Sequence, residues 1–173
     1  MQQPGAPANE WRLSENGRTL AAQLAPELRP YTPTRIITSE EAKAAETGQL
    51  IAAELGLPWH TAPGLQEHDR RGVPFFATRE AFETAVAHFF AHPNQLVFGN
   101  ETAAQALGRM EMAVAAQRAA YPHDTLILVT HGTVLTLYCC HRNPQLDPLT
   151  FWRSLTLPWW GIIRDQKPVF GNQ

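Results

Sequence analysis

The sequence TLILVTHGTVL, from Thr125 to Leu135, carries the clearest strand-to-helix pattern in this chain. Its first part, Leu126 to Val129, is an unbroken apolar run behind a polar turn, which is typical of a strand buried on both faces of a parallel sheet. Thr133 to Cys140 is apolar enough to predict a helix that packs back on that sheet. His131 and Gly132 lie between the two. Open α/β sheets bind ligands and anions at such strand ends, so the pattern predicts a binding site here.

A second segment repeats the order of strand, hydroxyl-bearing corner and helix. Arg35 to Thr38 is a short apolar run, Ser39 follows as the predicted N-cap, and Glu40 to Leu55 has the spacing of a helix that stops at Gly56. Parallel strands share their carboxyl ends. We therefore expect the side chains of the two corners to lie at one edge of the sheet.

The rest of the chain predicts an alternation of helices and loops. Helical periodicity indicates three further helices, at about residues 14–28, 80–90 and 101–121. Ser14 is the predicted N-cap of the first. The second is predicted to bury an apolar stripe of Phe82, Val86, Phe89 and Phe90. Residues 161–170 could supply one or two late strands around a turn at 165–167. The stretch from Pro58 to Pro74 is predicted to be a long irregular loop, and loops of this length are often functional or mobile.

Length and composition fit one globular domain. The chain has 173 residues, 44% apolar and 17% charged, with a net charge of −2. Lys and Arg are scattered, so no basic surface for nucleic acid or anionic membrane is indicated. No apolar run approaches the ~20 residues of a membrane span, and the amino terminus lacks the charged start and apolar core of a signal peptide. We expect a cytoplasmic protein that binds neither nucleic acid nor membrane.

The two cysteines predict packing rather than chemistry. Cys139 and Cys140 are adjacent, so they cannot form a normal intrachain disulfide. With His141 they would make a poor metal chelate, since neighbouring helical side chains point about 100° apart. The sequence also lacks a Gly-rich phosphate loop, which argues against a nucleotide-binding α/β protein.

Five ionisable residues could carry chemistry, and each has a simpler interpretation. His131 could be a core or capping histidine. Lys43 lies at a helix start, where a cation opposes the helix dipole unless it faces an anion, but it could also be a solvated lysine. Glu67 could be a general acid or a surface carboxylate. Arg109 is most simply a solvated helix residue, and Glu101 most simply favours the helix start.

Five segments stand in a recognisable order. They are WRLSENGR at 11–18, TSEEAKAAETG at 38–48, LQE at 65–67, GNETAAQALGR at 99–109 and VTHGTVL at 129–135. Their sequence and spacing resemble the histidine phosphatase superfamily, also called the phosphoglycerate mutase-like proteins, from Trp11 to about Pro158. The resemblance implies a single domain over residues 1–173 with a three-layer α/β/α fold around a mostly parallel sheet.

The resemblance also implies phosphoryl transfer through a phosphohistidine, without metal or organic cofactor. In such proteins a histidine of an Arg-His-Gly-like motif attacks phosphorus, and cationic groups neutralise the phosphoryl oxygens. His131 matches the second histidine, which donates to those oxygens, and Gly132 adjoins it in the implied phosphate site. Lys43 stands where many relatives have arginine, and it keeps the charge but loses the bidentate fork. Glu67 matches the acid that protonates the leaving oxygen, with Glu101 as the second choice.

The sequence departs from this pattern at the nucleophile. None of its histidines follows an arginine. The resemblance places that motif, with a first strand, just ahead of Met1, so we expect an amino-terminally truncated domain that lacks both. That strand would lie beside Thr125 to Val129, and its loss would leave an apolar strand edge that favours aggregation or a homodimer.

Two interpretations therefore stay open. In the first, the full-length form is a phosphatase of a small phosphomonoester, and the chain as printed is inactive. In the second, the chain is a remnant that binds phosphate or a phosphoprotein without turnover. A phosphatase is preferred to a phosphoglycerate-type mutase because the chain is short. The sequence does not define the substrate, although residues 68–71 could border the pocket.

Overall fold

The computed structural model describes residues 10–164 and 167–170. Spatial contacts between Cα atoms group the chain into two compact units. Unit 1 comprises Met1–Glu67 and Met110–His131, and unit 2 comprises His68–Arg109 and Gly132–Gln173. The prediction of a single domain over residues 1–173 stays a prediction.

The described elements alternate between helix and strand for most of the chain. In chain order they are α1 (Glu15–Leu28), a 3₁₀ turn (Arg29–Tyr31), β1 (Arg35–Thr38), α2 (Ala42–Leu55), β2 (Trp59–Thr61), α3 (Arg79–Ala91), α4 (Ala103–Ala120), β3 (Leu126–Val129), α5 (Gly132–Arg142), α6 (Pro148–Ser154), β4 (Gly161–Arg164) and β5 (Lys167–Phe170). The predicted turn at 165–167 falls mainly on Asp165 and Gln166, which lie outside the described residues.

Unit 1 is built on a three-stranded parallel sheet in the order β2-β1-β3. Ile36 of β1 is opposite Trp59 of β2 on one side and Ile127 of β3 on the other. Ile36 and Ile37 are fully buried, so the core of this unit lies around the central strand. The predicted parallel strands at 35–38 and 126–129 are confirmed.

Two expectations about this sheet are wrong. β3 is not buried on both faces: its four residues are half-buried, because it is an edge strand that pairs only with β1 within the described residues. The stretch 58–74 is not entirely irregular, since Trp59–Thr61 forms β2; three residues are too few to show a strand period. Aggregation or dimerisation through the β3 edge stays a prediction.

Helices α1 and α2 pack against each other, and α2 also contacts all three strands. Ser14 caps α1 as predicted, its hydroxyl accepting from the Gly17 N–H at 3.1 Å. Gly56 ends α2 as predicted, in the left-handed conformation at φ 69°. Gly48 lets α2 approach β1, because a Cβ there would collide with the methyl group of Thr38.

The predicted N-cap of α2 is wrong. The helix begins at Ala42, and its N-cap is Glu41, in an extended conformation at φ −67° and ψ 136°. Ser39 lies two residues earlier, and its hydroxyl accepts from the Glu41 N–H at 3.2 Å. Serine oxygens can serve a local turn as readily as a helix start, so the residue type alone did not fix the boundary.

Unit 2 contains α3, α5, α6 and the antiparallel pair β4-β5. α6 contacts both α3 and α5. Thr78 caps α3, and Val86 and Phe89 bury its apolar stripe as predicted. The late strands are also confirmed, with Ile162 opposite Val169.

The remaining predictions concern α4 and the cysteines. Thr102 opens α4 with a capping box, exchanging hydrogen bonds with Gln105. Cys139 is buried as predicted, and burial raises the pKa of its thiol to about 12. In the described ranges no group of three or more His, Cys, Asp and Glu could hold a metal ion. Nor does any helix there combine the length and apolarity that a bilayer crossing needs.

Candidate functional site

The corners that follow β1 and β3 meet within unit 1. The strands are in register with Thr38 opposite Val129, so the residues that follow each strand emerge side by side. His131 Nε2 lies 2.8 Å from Ser39 Oγ. Both residues are buried, at 7% and 0% exposure. The prediction that the two corners share one edge of the sheet is confirmed.

The carboxylate of Glu41 lies in the middle of this edge. Lys43 Nζ is 2.9 Å from its Oε2. The backbone N–H of Glu67 donates to its Oε1 at 2.8 Å, and His131 Nε2 is 3.6 Å from the same oxygen. We call Ser39, Glu41, Lys43, His131 and the Glu67 N–H the corner cluster. Three groups of this cluster that can donate hydrogen bonds thus surround one anion.

Burial makes these interactions stronger than they would be on an open surface. The Glu41 and His131 side chains are 10% and 5% exposed, whereas Lys43 is 29% exposed. Charges interact more strongly where water is excluded. Lys43 also lies 6.0 Å from the centre of the Trp11 ring, within the range of a cation–π contact. The cluster is therefore mostly closed, with the ammonium group as its more accessible part.

The position of Lys43 is explained by this arrangement. It lies in the first turn of α2, where the helix dipole disfavours a cation. The sequence indicated that such a lysine needs a facing anion, and the structure supplies the carboxylate of Glu41. The same position suits an added anion, because the amino end of a helix and an ammonium group both attract negative charge.

Glu67 is held close to the cluster by the end of β3. Thr130 Oγ1 donates to the carbonyl of Leu65 at 2.7 Å, and Leu65 is fully buried. Two residues later the Glu67 N–H reaches Glu41. The half-buried Glu67 is thus fixed by its backbone beside His131 and Lys43.

Glu101 and Arg109 form a separate ion pair in unit 2. Arg109 Nη2 is 2.6 Å from Glu101 Oε1, and its Nε donates to Oε2 at 3.2 Å. The Asp69 N–H donates to Oε1 at 3.0 Å. The expectation that Arg109 is solvated is wrong, because its side chain is 19% exposed and forks onto the carboxylate. These bonds engage both oxygens of Glu101 and favour a structural role for it.

Two other predicted residues belong to unit 2. Gly132 is the first residue of α5, and its carbonyl accepts from Thr136 Oγ1 at 2.8 Å. A Cβ at Gly132 would meet Leu155 and Trp152 at ordinary distances of 3.7 and 3.9 Å, so packing there does not require glycine. Asp69, one of the residues that could border the pocket, accepts a forked bond from Arg71.

The sequence prediction missed Glu41 and treated Ser39 only as a cap. Glu41 was assigned to the interior of a helix from 40 to 55, and residues two apart on a helix do not face each other. Because α2 begins at Ala42, Glu41 has an extended backbone and its carboxylate can contact Lys43 in the first turn of the helix. The unfavourable lysine was the one available signal that an anion lay nearby.

Comparison with known families decides the classification. Residues 6–158 match the model of the histidine phosphatase superfamily, branch 1. The chain belongs to this superfamily. No curated protein matches the chain significantly in sequence.

Several solved structures share the fold of this chain. YhfR of Bacillus stearothermophilus has a TM-score of 0.66 and 19% identity, over 93% of this chain and 83% of that one. The alpha-ribazole phosphatase of Shigella flexneri has a TM-score of 0.66 and 20% identity, over 94% and 83%. Mycobacterial glucosyl-3-phosphoglycerate phosphatase, in complex with VO3, has a TM-score of 0.64 and 20% identity, over 83% and 74%. The predicted family and its α/β fold are thus confirmed.

Proposed function

We propose that the corner cluster is the phosphate-binding pocket of a phosphatase that acts on small phosphomonoesters. The observation that carries the proposal is the convergence of Lys43, His131 and the Glu67 N–H on one carboxylate. A phosphoryl group has the same need for a nearby cation and several hydrogen-bond donors as a carboxylate does. Most catalysis of phosphoryl transfer comes from such positioning and charge neutralisation.

Each residue then has a definite role. His131 Nε2, 2.8 Å from Ser39 Oγ, carries an N–H that is shared between this oxygen and a phosphoryl oxygen. Lys43 acts as a point charge on the same group, because an ammonium lacks the bidentate geometry of a guanidinium. Glu67 protonates the leaving oxygen. Gly132 allows the backbone beside His131 to approach the ligand.

The substrate class is supported by the proteins of similar fold. They include phosphatases named for glucosyl-3-phosphoglycerate, phosphoserine and alpha-ribazole. The first two names denote small phosphate monoesters.

A second function, phosphate binding without turnover, is favoured by one observation. The 173 printed residues contain no Arg-His pair, the motif expected to carry the nucleophile. His131 does not replace it in this proposal, because its Nε2 already contacts Ser39 and is needed as a donor. We therefore expect the printed chain to bind phosphate and to form no phosphohistidine.

The test compares the 173-residue chain with a longer chain that adds the residues encoded in frame upstream of the Met1 codon. With an aryl phosphate as substrate, we expect turnover by the longer chain if the added residues contain Arg-His, and none by the printed chain. In the active protein, Lys43→Ala should reduce kcat/KM by at least about tenfold, with Lys43→Arg as the charge-conserving control. Turnover by the printed chain that survives His131→Ala would contradict the mechanism.

A further inference from the structure

The corner cluster is arranged around an anion that the chain itself supplies. Lys43, the Glu67 N–H and His131 lie 2.9, 2.8 and 3.6 Å from the carboxylate oxygens of Glu41. These are the groups that the proposed function assigns to phosphate or places beside it. In the structure they are turned towards Glu41.

We propose that Glu41 occupies the anion position of the pocket and that a phosphoryl group binds by displacing its carboxylate. Glu41 is then a specificity-determining residue, because only an anion that competes with a tethered carboxylate can enter. This inference rests on the proposed phosphate-binding function and adds that the Glu41 carboxylate competes with phosphate for the site. A carboxylate and a phosphoryl dianion repel each other strongly in a site that excludes water, so the two cannot share these donors.

The local structure allows the Glu41 side chain to leave. As N-cap of α2, Glu41 makes no side-chain capping hydrogen bond, so its carboxylate does not satisfy the helix start. The helix is held instead by the Glu41 carbonyl, which accepts from Ala44 and Ala45 at 2.9 and 3.0 Å. Rotation of the side chain would leave these backbone bonds in place.

The partners of Glu41 also suit an exchange. Lys43 is a flexible point charge whose hydrogen bond can turn from one acceptor to another. The contact of His131 with Glu41 is longer than its contact with Ser39, 3.6 against 2.8 Å. The hydrogen bond to Ser39 therefore holds the imidazole in place when the carboxylate moves.

Displacement of a built-in competitor lowers the apparent affinity for phosphate. If the carboxylate fills the pocket most of the time, the apparent Kd is raised by the reciprocal of the fraction that is open. Removing the charge at position 41 should abolish this competition. Phosphate should then bind more tightly.

The experiment is a calorimetric titration of the 173-residue protein with inorganic phosphate. Glu41→Gln keeps the side-chain size and removes the charge, Glu41→Ala removes the group, and Glu40→Gln is the matched control at an exposed neighbour. We expect a Kd about tenfold lower for both position-41 variants, and a change of less than about twofold for Glu40→Gln. Circular dichroism establishes that each variant is folded.

The outcomes separate the two proposals. If the parent protein binds phosphate and both position-41 variants bind it equally or more weakly, the competitor role is overturned and the phosphate site stands. If neither the parent nor the variants bind phosphate, the proposed function is overturned and the competitor role with it. If Glu40→Gln raises the affinity for phosphate as much as Glu41→Gln does, the effect is one of general charge, and the inference is also overturned.

Discussion

Glu41 in unit 1 and Glu101 in unit 2 are similar carboxylates in different surroundings. Each accepts a backbone N–H, from Glu67 and Asp69 respectively, and each pairs with a cation. Glu101 is bound through both oxygens by the guanidinium of Arg109. Glu41 has a single ammonium contact at 2.9 Å and a longer one to a histidine.

The difference shows that the type of cation determines whether an ion pair is fixed or can exchange with a ligand. A guanidinium forms two parallel bonds of fixed geometry, so the pair with Glu101 braces the loop before α4. An ammonium group is a point charge on a flexible stem and can change its acceptor. The pair in unit 2 is thus suited to stability, and the pair in unit 1 to exchange with a ligand.

The largest effect should come from breaking the pair in unit 2. Glu101→Gln removes the carboxylate that pairs with the 19%-exposed guanidinium of Arg109, so we expect a loss of about 3 kcal/mol in the free energy of unfolding. Glu41→Gln should cost less, about 1 kcal/mol, because the ammonium of Lys43, 29% exposed, is more accessible to water than the guanidinium of Arg109. Urea denaturation measures both, and equal losses would contradict the distinction.

A smaller effect is expected at Gly99, in the same loop as Glu101. Its φ is +82°, and a Cβ there would collide with the Asp69 carbonyl and lie 2.8 Å from His68 Nε2. Gly99→Ala should therefore cost about 2 kcal/mol. Gly56→Ala is the matched control, since φ is +69° and nothing lies within 4 Å. Gly56→Ala should lose only about 1 kcal/mol in the free energy of unfolding, from the left-handed backbone conformation. Thermal denaturation that ranks the two in the opposite order would show that the loop is not tightly packed.

The smallest effect concerns acid stability in unit 2. The hydrogen bond from Arg71 holds the pKa of Asp69 well below its usual value, with help from the Arg71 N–H and Asn100. A carboxyl with a lowered folded-state pKa stabilises above its unfolded value, 3.8, and loses that contribution as pH falls through the folded value. Asp69→Asn should therefore be less stable than the parent at neutral pH, and the gap should shrink below about pH 4. Urea denaturation at several pH values tests this, and a gap that stays constant would count against it.

Much of the fold could be predicted because its signals are local. The apolar run 126–129 gave a strand, Ser14 and Gly56 gave helix ends, and parallel pairing predicted a contact between corners 92 residues apart. β2 has only three residues and shows no period. The edge position of β3 depends on which strands pair with each other, and the apolar segment 126–129 alone contains no information on that pairing.

The site was predicted less completely for a physical reason. His131, Lys43 and Glu67 could be proposed from a family pattern, and the structure brings two of these side chains and one backbone group to the same carboxylate. Glu41 could not be proposed, because its role depends on a helix that begins two residues later than its sequence suggests. Helix boundaries are set by tertiary contacts as much as by residue type.

Binding of phosphate by the corner cluster can be observed directly at the imidazole of His131. Inorganic phosphate is titrated into the 173-residue protein while the histidine ring resonances are followed by NMR, with His131→Gln to assign the signal. We expect a saturable shift of the His131 resonance, with an affinity for phosphate that falls by at least about tenfold in Lys43→Ala and a shift that persists in Lys43→Arg. A His131 resonance that does not move with phosphate, or that moves equally in Lys43→Ala, would contradict it.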